Sequence, residues 1–553
     1  MSAAISPDGK YLAYSDQTAI HQRSIQTGET RLLPQSAGYR VQSWFPDGTR
    51  LAAVSQGTSG GQEGIFVVSM LGGAPRKIQE RASGSVRVSP DGSKIAFLLQ
   101  SEPGTGDFTR HSGPSEIWTM GPNGEEPTIL HTLSAGDYVI NLSWSPDGQR
   151  VAWGRFRREL NAAHSFLETR GLDGGRITTL ATEKELPGGV FAFTWLKDGR
   201  VLCYLRELPP RDRDWNLWEI PTNVKTGQAA GPPKRLSNWE GANVGNLSVG
   251  YLTASADGKK LTFLKYASQS DVSIGELEAG GTKMRPPRRL TLDESNDVPT
   301  AWMPNSKAVL FHSDRTGHWA IFKQEIDKNS AEAVVSGEGD LVTPRVSADQ
   351  QWILYVSEPR PASATSTRQY RLMRIPIMGG PPQTVFEAPR FFNVFCTRPP
   401  VNFCMWIERQ ATENVVFTFD PLKGKGRELF RTELGSGEPN VSFDGQRFAY
   451  VVNGRRKIRI LNALGQPVRD LSVDGWEGLN SLDWSADGKG LYVGLWTPKA
   501  GTTLLYIELD GRVHPLWQQP GNLRTWGTPS PDGRYLAILS GTTDSSVWMV
   551  EGF

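Results

Sequence analysis

The stretch Ala3-Ala4-Ile5-Ser6-Pro7-Asp8-Gly9-Lys10-Tyr11-Leu12-Ala13-Tyr14-Ser15 decides the fold, because its grammar returns along the whole chain. A short apolar strand runs into Ser-Pro-Asp-Gly, and an alternating strand follows. Pro sets φ at the first turn position, Asp bonds backbone two residues on, and Gly supplies a positive φ. The same order recurs as SWFPDGTRLAAVS from Ser43, VRVSPDGSKIAFLL from Val86, LSWSPDGQRVAWG from Leu142, FTWLKDGRVLCYL from Phe193 and LTASADGKKLTFLK from Leu252. It continues as TAWMPNSKAVLFHS from Thr300, PRVSADQQWILYVS from Pro344, PNVSFDGQRFAYVV from Pro439, LDWSADGKGLYVGL from Leu482 and GTPSPDGRYLAIL from Gly527. A degenerate unit, NVFCTRPPVNFCMWIE from Asn393, puts Pro399-Pro400 where Asp-Gly stands elsewhere. That makes twelve units, roughly 40 to 60 residues apart, which is the period of a four-stranded propeller blade.

Third strands follow, such as GIFVVSM at Gly64, NLWEIP at Asn216 and SVWMVE at Ser546. Gly turns then lead to fourth strands, as in LGGAPRKI at Leu71. With strands A to D in each unit, apolar residues recur at period two and no amphipathic helix is expected. Trp44, Trp144, Trp195, Trp302 and Trp484 share one slot at the end of strand A; Trp118, Trp218 and Trp548 share one on strand C. Repetition at a fixed slot marks blade-to-blade packing. The expected fold class is therefore all-β: tandem β-propellers of about twelve four-stranded blades, preferably two six-bladed rings. The expected domains are residues 1–294 and 295–553, the first closing with Arg288-Arg289-Leu290-Thr291-Leu292 as its last D strand. The last unit ends on its C strand, SVWMVEGF, and is expected to be one strand short, with a native segment upstream of residue 1 as the donor. Borrowing from the other end of the chain is the alternative, and it would place both termini in one ring.

The remaining arithmetic excludes several classes. Lys+Arg is 60 and Asp+Glu 58 over 553 residues, a net charge of +2, which argues against a dedicated nucleic-acid binder. No apolar run is long enough for a membrane-spanning helix, and no signal peptide is visible. Three cysteines rule out a disulfide-built scaffold.

The Ser-Pro-Asp-Gly units, with Phe311-His312-Ser313-Asp314-Arg315-Thr316-Gly317 before a third strand, resemble the TolB-type, WD-like β-propeller repeat over nearly the whole chain. Their wording is similar to the C-terminal sensor propellers of bacterial serine/threonine protein kinases and winged-helix regulators. That resemblance implies a binding or sensing module in signal transduction and favours a periplasmic or extracytoplasmic location. The chain has no Gly-rich loop with a strand Lys, no His-Arg-Asp and no Asp-Phe-Gly, so kinase activity would need an upstream domain. The expectation is a non-catalytic protein without cofactor or metal. The alternatives are a propeller-type hydrolase or lyase, which would need carboxylates or His converging from A strands, and a TolB-like periplasmic assembly factor.

Gly57-Thr58-Ser59-Gly60-Gly61 matches a nucleophile elbow in letters, but strands flank it on both sides. His312 and His318 flank a turn without a third ligand. The repeated Asp residues form turns. Partner recognition, of a protein or a small ligand, is expected on the face of the B–C and D–A loops, where lengths vary. The candidates are Arg155, Arg157, Arg158 and Glu159 in the fourth unit, and Arg206, Arg211, Asp212, Arg213, Asp214 and Trp215 in the fifth, because Arg with Trp suits binding hot spots. Aligning the ninth unit with the eleventh puts Cys396 opposite Cys404 across the A–B hairpin, which suggests a disulfide and an oxidising compartment; two buried free thiols are the alternative. Cys203 is expected to be free.

Overall fold

A computed structural model of the chain describes residues 2–16, 18–55, 64–82, 84–100, 115–134, 136–158, 163–186, 190–207, 215–239, 252–337, 339–358, 369–410, 413–433, 437–452, 456–497, 501–520 and 524–553. Among them the regular structure is β-strand apart from one 3-10 turn, Ala279–Gly281. Ten sheets have four strands each, in sequence order and antiparallel, as in Ser2–Ile5, Tyr11–Ser15, Ile20–Ser24 and Thr30–Leu32.

The turns between first and second strands work as their letters imply. Ser6 Oγ donates to Asp8 Oδ1 at 2.6 Å, Asp8 Oδ1 accepts from the Lys10 amide, and the Tyr11 amide bonds back to Ser6 Oγ at 2.9 Å. Gly9 closes the turn at φ +67°, where a side chain would be strained. The same Ser-to-Asp bond recurs at Ser89–Asp91, Ser145–Asp147, Ser255–Asp257, Ser347–Asp349, Ser442–Asp444, Ser485–Asp487 and Ser530–Asp532.

The chain forms two compact units. One holds Met1–Ala267, Ala362–Ser366 and Asp544–Phe553; the other holds Ser268–Pro361 and Thr367–Thr543. In the first, the inner strands Ser2–Ile5, Tyr39–Trp44, Val86–Val88, Asp137–Trp144, Val190–Trp195 and Thr253–Ala254 touch in that order, and the last touches the first. In the second, Asp297–Trp302, Asp340–Val346, Asn393–Cys396, Asn440–Val441, Leu479–Trp484 and Gly527–Pro529 do the same. Each unit is thus a closed six-bladed β-propeller ring, which leaves few open sheet edges.

The A-strand tryptophans join blade to blade. Trp44 Nε1 donates to Ala4 O at 2.9 Å, Trp144 to Arg87 O at 2.9 Å and Trp484 to Asn440 O at 3.2 Å; Trp302 reaches Thr528 O at 2.8 Å and closes the second ring. Each acceptor lies on the neighbouring blade's inner strand. Trp548 differs: it is 48% exposed, under Lys265 Nζ at 4.4 Å. The core is divided into clusters between blades, one of them gathering Ala4, Ile20, Val41, Trp44 and Leu51.

The division at 294/295 expected from sequence differs from these units. Two strands run on where hairpin loops were expected: Lys260–Glu278, of 19 residues, and Tyr535–Glu551, of 17. Neither carries a Pro or an Asp-Gly turn at its middle, which permits a straight run, and the pairing of the two long strands with each other fixes it. Each strand therefore contributes one half to each ring. In the first ring, residues 260–265 lie beside residues 546–553: Gly552 N donates to Lys259 O at 3.4 Å, Lys260 pairs with Glu551 at 3.3 Å, and Val550 and Phe553 pack against Leu252, Leu261 and Phe263. In the second, residues 269–278 lie beside 535–542: Leu277 N donates to Arg534 O at 2.8 Å, Ser273 and Ser540 share a 2.7 Å hydroxyl bond, and Arg288–Arg289 pairs with Ser273 and Ile274. The segment expected to close the first ring thus belongs to the second, and both described chain ends lie in the first ring.

Candidate functional site

The inner strands place one residue each beside their Trp slot, and the six of the second ring line one cavity. In the first ring this position reads Ala4, Ser43, Arg87, Ser143, Thr194 and Thr253; in the second, Ala301, Arg345, Phe395, Asn440, Asp483 and Thr528. The second series carries charge of both signs, and its ring holds a cavity of ≈ 70 Å³ lined by Arg345, Arg398, Asp483, Asn440, Phe443 and Thr300, among others. Arg398 comes from the degenerate ninth unit, in the slot that holds Pro7, Pro90 or Pro531 in other units. Turn residues Pro304, Gln350, Arg398, Phe443 and Pro531 line the cavity, so it sits at the A–B turn end of the axis.

Arg398 spans the axis. From the third blade of the ring it donates to Pro529 O at 3.0 Å and Pro531 O at 3.5 Å on the sixth, and its guanidinium covers the Phe443 ring at 3.4 Å. Its backbone is fixed on both sides. Arg398 N donates to Phe443 O at 3.1 Å, Thr397 Oγ1 donates to Val401 O and Phe403 O, and Cys396 is joined to Cys404 by a disulfide. Arg345 Nε donates to Val394 O at 2.9 Å, and the guanidinium lies over Phe395 at 4.7 Å; its two terminal nitrogens have no protein acceptor among the described residues. Asp483 Oδ1 accepts from Asn440 Nδ2 at 3.1 Å and from the Trp484 amide at 2.9 Å, while Oδ2 has no partner among the described residues.

The three charges act on one another across the cavity, and no ion pair joins Asp483 to either guanidinium among the described residues. Burial pushes the Asp483 carboxyl up to about 6, against the pull of Arg345 and Arg398. Burial also lowers Arg398 to about 10 and draws Arg345 below its ordinary value, although Asp483 favours the charged form of both. Two guanidiniums and one carboxylate line the cavity, while Glu438 acts on Arg345 and Asp532 on Arg398 from outside the lining.

The sequence candidates are placed elsewhere. The fourth unit's B–C segment is not a free loop at its start, because its strands extend as Arg150–Arg158 and Ala163–Gly171. Arg155 forks onto Glu168 at 2.7 and 2.9 Å and covers Phe166 at 4.0 Å; Arg157 forks onto Asp137 at 2.7 and 3.0 Å. Alternation puts both on one sheet face, where carboxylates of the same sheet hold them. Trp215 stacks on Tyr204 at 5.4 Å and packs between blades. Glu159, Arg211, Asp212, Arg213 and Asp214 lie outside the described residues, as do the side chains of Arg158 and Arg206 and the whole of Gly57–Gly61. His312 meets Trp319 edge-on at 4.9 Å, with burial pulling it down to about 3; no group of three metal-ligating side chains occurs among the described residues. Cys203 is buried and free.

No family profile matches the chain. No curated protein matches it either. Solved structures similar to it include a putative TolB from Agrobacterium tumefaciens (16% identity, 66% of this chain and 87% of that one, TM-score 0.20). They also include the tricorn protease (11% identity, 99% and 58%, TM-score 0.32) and an oligogalacturonate lyase from Vibrio parahaemolyticus (15% identity, 59% and 88%, TM-score 0.32). None of these superpositions is close, and the propeller fold rests on the strand order itself. Among the described residues, no helix is long and apolar enough to cross a membrane.

Sequence reasoning missed Arg345, Arg398 and Asp483. The repeated tryptophan slot marks packing, and the slot beside it varies from unit to unit. The signal was there: reading that neighbouring slot down all twelve units isolates Arg87, Arg345 and Asp483 as its only charged members.

Proposed function

We propose that the chain is a non-catalytic binding and sensing module that takes a small ligand in the axial cavity of its second ring. The observation that carries this reading is the set of unmet polar atoms around one cavity: the terminal nitrogens of Arg345 and Oδ2 of Asp483. Both residues are partly buried, and charged atoms that protein leaves unpaired around one shared recess suit a partner from solution. The repeat's resemblance to sensor propellers supports a place in bacterial signalling, with the ligand as its input. The hydroxyls of Ser347 and Thr397 at the cavity are held in their turns, by Asp349 Oδ1 at 2.5 Å and by Val401 O and Phe403 O, which supports binding over turnover.

The test is thermal melting of the full chain against small solutes of positive, neutral and negative charge, alongside assays for ATP hydrolysis, protein phosphorylation and peptidase activity. At least one charge class raises the melting temperature saturably, and Arg398→Ala weakens that rise. Turnover that a cavity substitution abolishes overturns the reading in favour of an enzyme. No shift by any solute overturns the cavity as the site.

A further inference from the structure

The geometry points to a specific ligand class: the axial cavity of the second ring binds a small oxyanion carrying at least one O–H, with Arg345 and Arg398 facing its charge and Asp483 accepting its hydrogen. This rests on the reading of the cavity as the binding site and deepens it.

Size comes first. A water needs at least about 10–15 Å³ of such space, so ≈ 70 Å³ holds roughly five, enough for a solute of a handful of heavy atoms. Inorganic phosphate fits, and so does a short hydroxy-acid. Charge comes next. Among the lining side chains two guanidiniums stand against one carboxylate, with Glu438 and Asp532 outside the lining, and Arg is the side chain best shaped for oxyanions. Direction follows. The terminal nitrogens of Arg345 are donors without acceptors, and Nε of Arg398 is a third. Asp483 Oδ2 is an acceptor without a donor.

The carboxylate sets the selectivity. An ionised Asp483 repels an anion with no hydrogen to offer and accepts from one that has an O–H. Sulfate and phosphate share size and tetrahedral shape, and near neutral pH only phosphate keeps a proton. The site therefore discriminates through one hydrogen bond, since a buried acceptor left unmet opposes binding. In the first ring the corresponding arginine is engaged by protein: Leu142 O, Gln42 O, Val86 O and Asn141 Oδ1 take the nitrogens of Arg87.

The experiment is isothermal titration of the full chain at about pH 7.5, above the Asp483 value, with phosphate, sulfate, lactate and acetate in turn. Phosphate is expected to bind at least about tenfold tighter than sulfate, or lactate at least about tenfold tighter than acetate; the preferred pair tells a phosphoryl from a carboxyl ligand. Arg345→Met is expected to weaken that ligand at least about tenfold, and Arg345→Lys, which keeps the charge and the fold, by a smaller factor. Asp483→Asn is expected to erase the preference for the O–H partner while an anion still binds. Equal binding within both pairs, or binding untouched by both Arg345 variants, overturns the inference. Silence from all four anions also overturns it. If a neutral or cationic solute still raises the melting temperature, the broader binding reading survives that failure.

Discussion

The two rings share one architecture and use axial arginine in opposite ways. In the first, Arg87 is buried and every nitrogen of its guanidinium donates: Nε to Leu142 O at 3.1 Å, one terminal nitrogen to Gln42 O at 2.8 Å, the other to Asn141 Oδ1 at 2.8 Å. Asn141 in turn donates to Phe193 O on the next blade at 3.0 Å. The arginine is a strut that ties successive blades together through backbone carbonyls and an amide oxygen. In the second ring, Arg345 has one bond to protein and Arg398 reaches across to two carbonyls, with a cavity between them and Asp483. The difference teaches that a buried arginine is no functional signal in itself. The number of donors the protein leaves unmet separates a strut from a site.

The largest expected effect breaks the strut. Arg87→Met leaves three carbonyl oxygens and the Asn141 amide without their charged donor, and is expected to cost about 3 kcal/mol in the first ring's denaturant transition. Arg345→Met should change the second ring's transition by no more than about 1 kcal/mol, because losing one bond is offset by no longer burying a charge. A cost for Arg345 equal to that for Arg87 would make both of them struts.

The disulfide sharpens the second half of the comparison. Cys396 and Cys404 are eight residues apart and bracket Arg398. Replacing both with Ser is expected to cost about 2 kcal/mol, confined to the second ring. It should also weaken the anion, because Arg398 loses its fixed backbone. Denatured, non-reduced protein should show one free thiol, Cys203; three would remove this account.

A smaller effect lies in pH. Asp483, pushed up to about 6, faces Arg345 and Arg398, with Asn440 and the Trp484 amide on its other side. As the pH falls through that value the carboxylate gains a proton and its repulsion of sulfate ends. Sulfate affinity is therefore expected to rise up to about tenfold between pH 7.5 and pH 5, an effect of roughly 1.4 kcal/mol. A flat titration would place Asp483 outside the site.

The smallest effect is in the turns. Ser89→Ala removes the bond to Asp91 and the acceptor for the Lys94 amide, at a cost of about 1 kcal/mol or less. The Ser89 bond is the chief cause holding Asp91 below its ordinary value of 3.8. Its contribution is present above that value and is lost as the pH falls through the folded one, so wild type and variant should converge in acid. The ninth unit has no such Ser-Asp pair, and its stability should lack this acid dependence.

Much of the fold was legible because a propeller blade is a local object. Turn chemistry at Ser6 to Gly9 and period-two alternation in Tyr11–Ser15 are settled by neighbours within a dozen residues, and the Trp slot follows from their repetition. The ring closure was not legible. Whether Lys260–Glu278 bends into a hairpin or runs straight depends on its pairing with the remote strand Tyr535–Glu551, one half of which lies beside each of its own halves. The arginines of the fourth unit misled for a similar reason: Arg155 and Arg157 read as free, and Glu168 and Asp137 hold them.

The sequence by itself determined that this is a twelve-blade all-β chain, because each turn and strand is stabilised by residues close along the chain. Only the tertiary structure decided which segments close which ring and which axial arginine is left unmet. Both depend on groups brought together from blades tens to hundreds of residues apart, and no local pattern encodes that proximity.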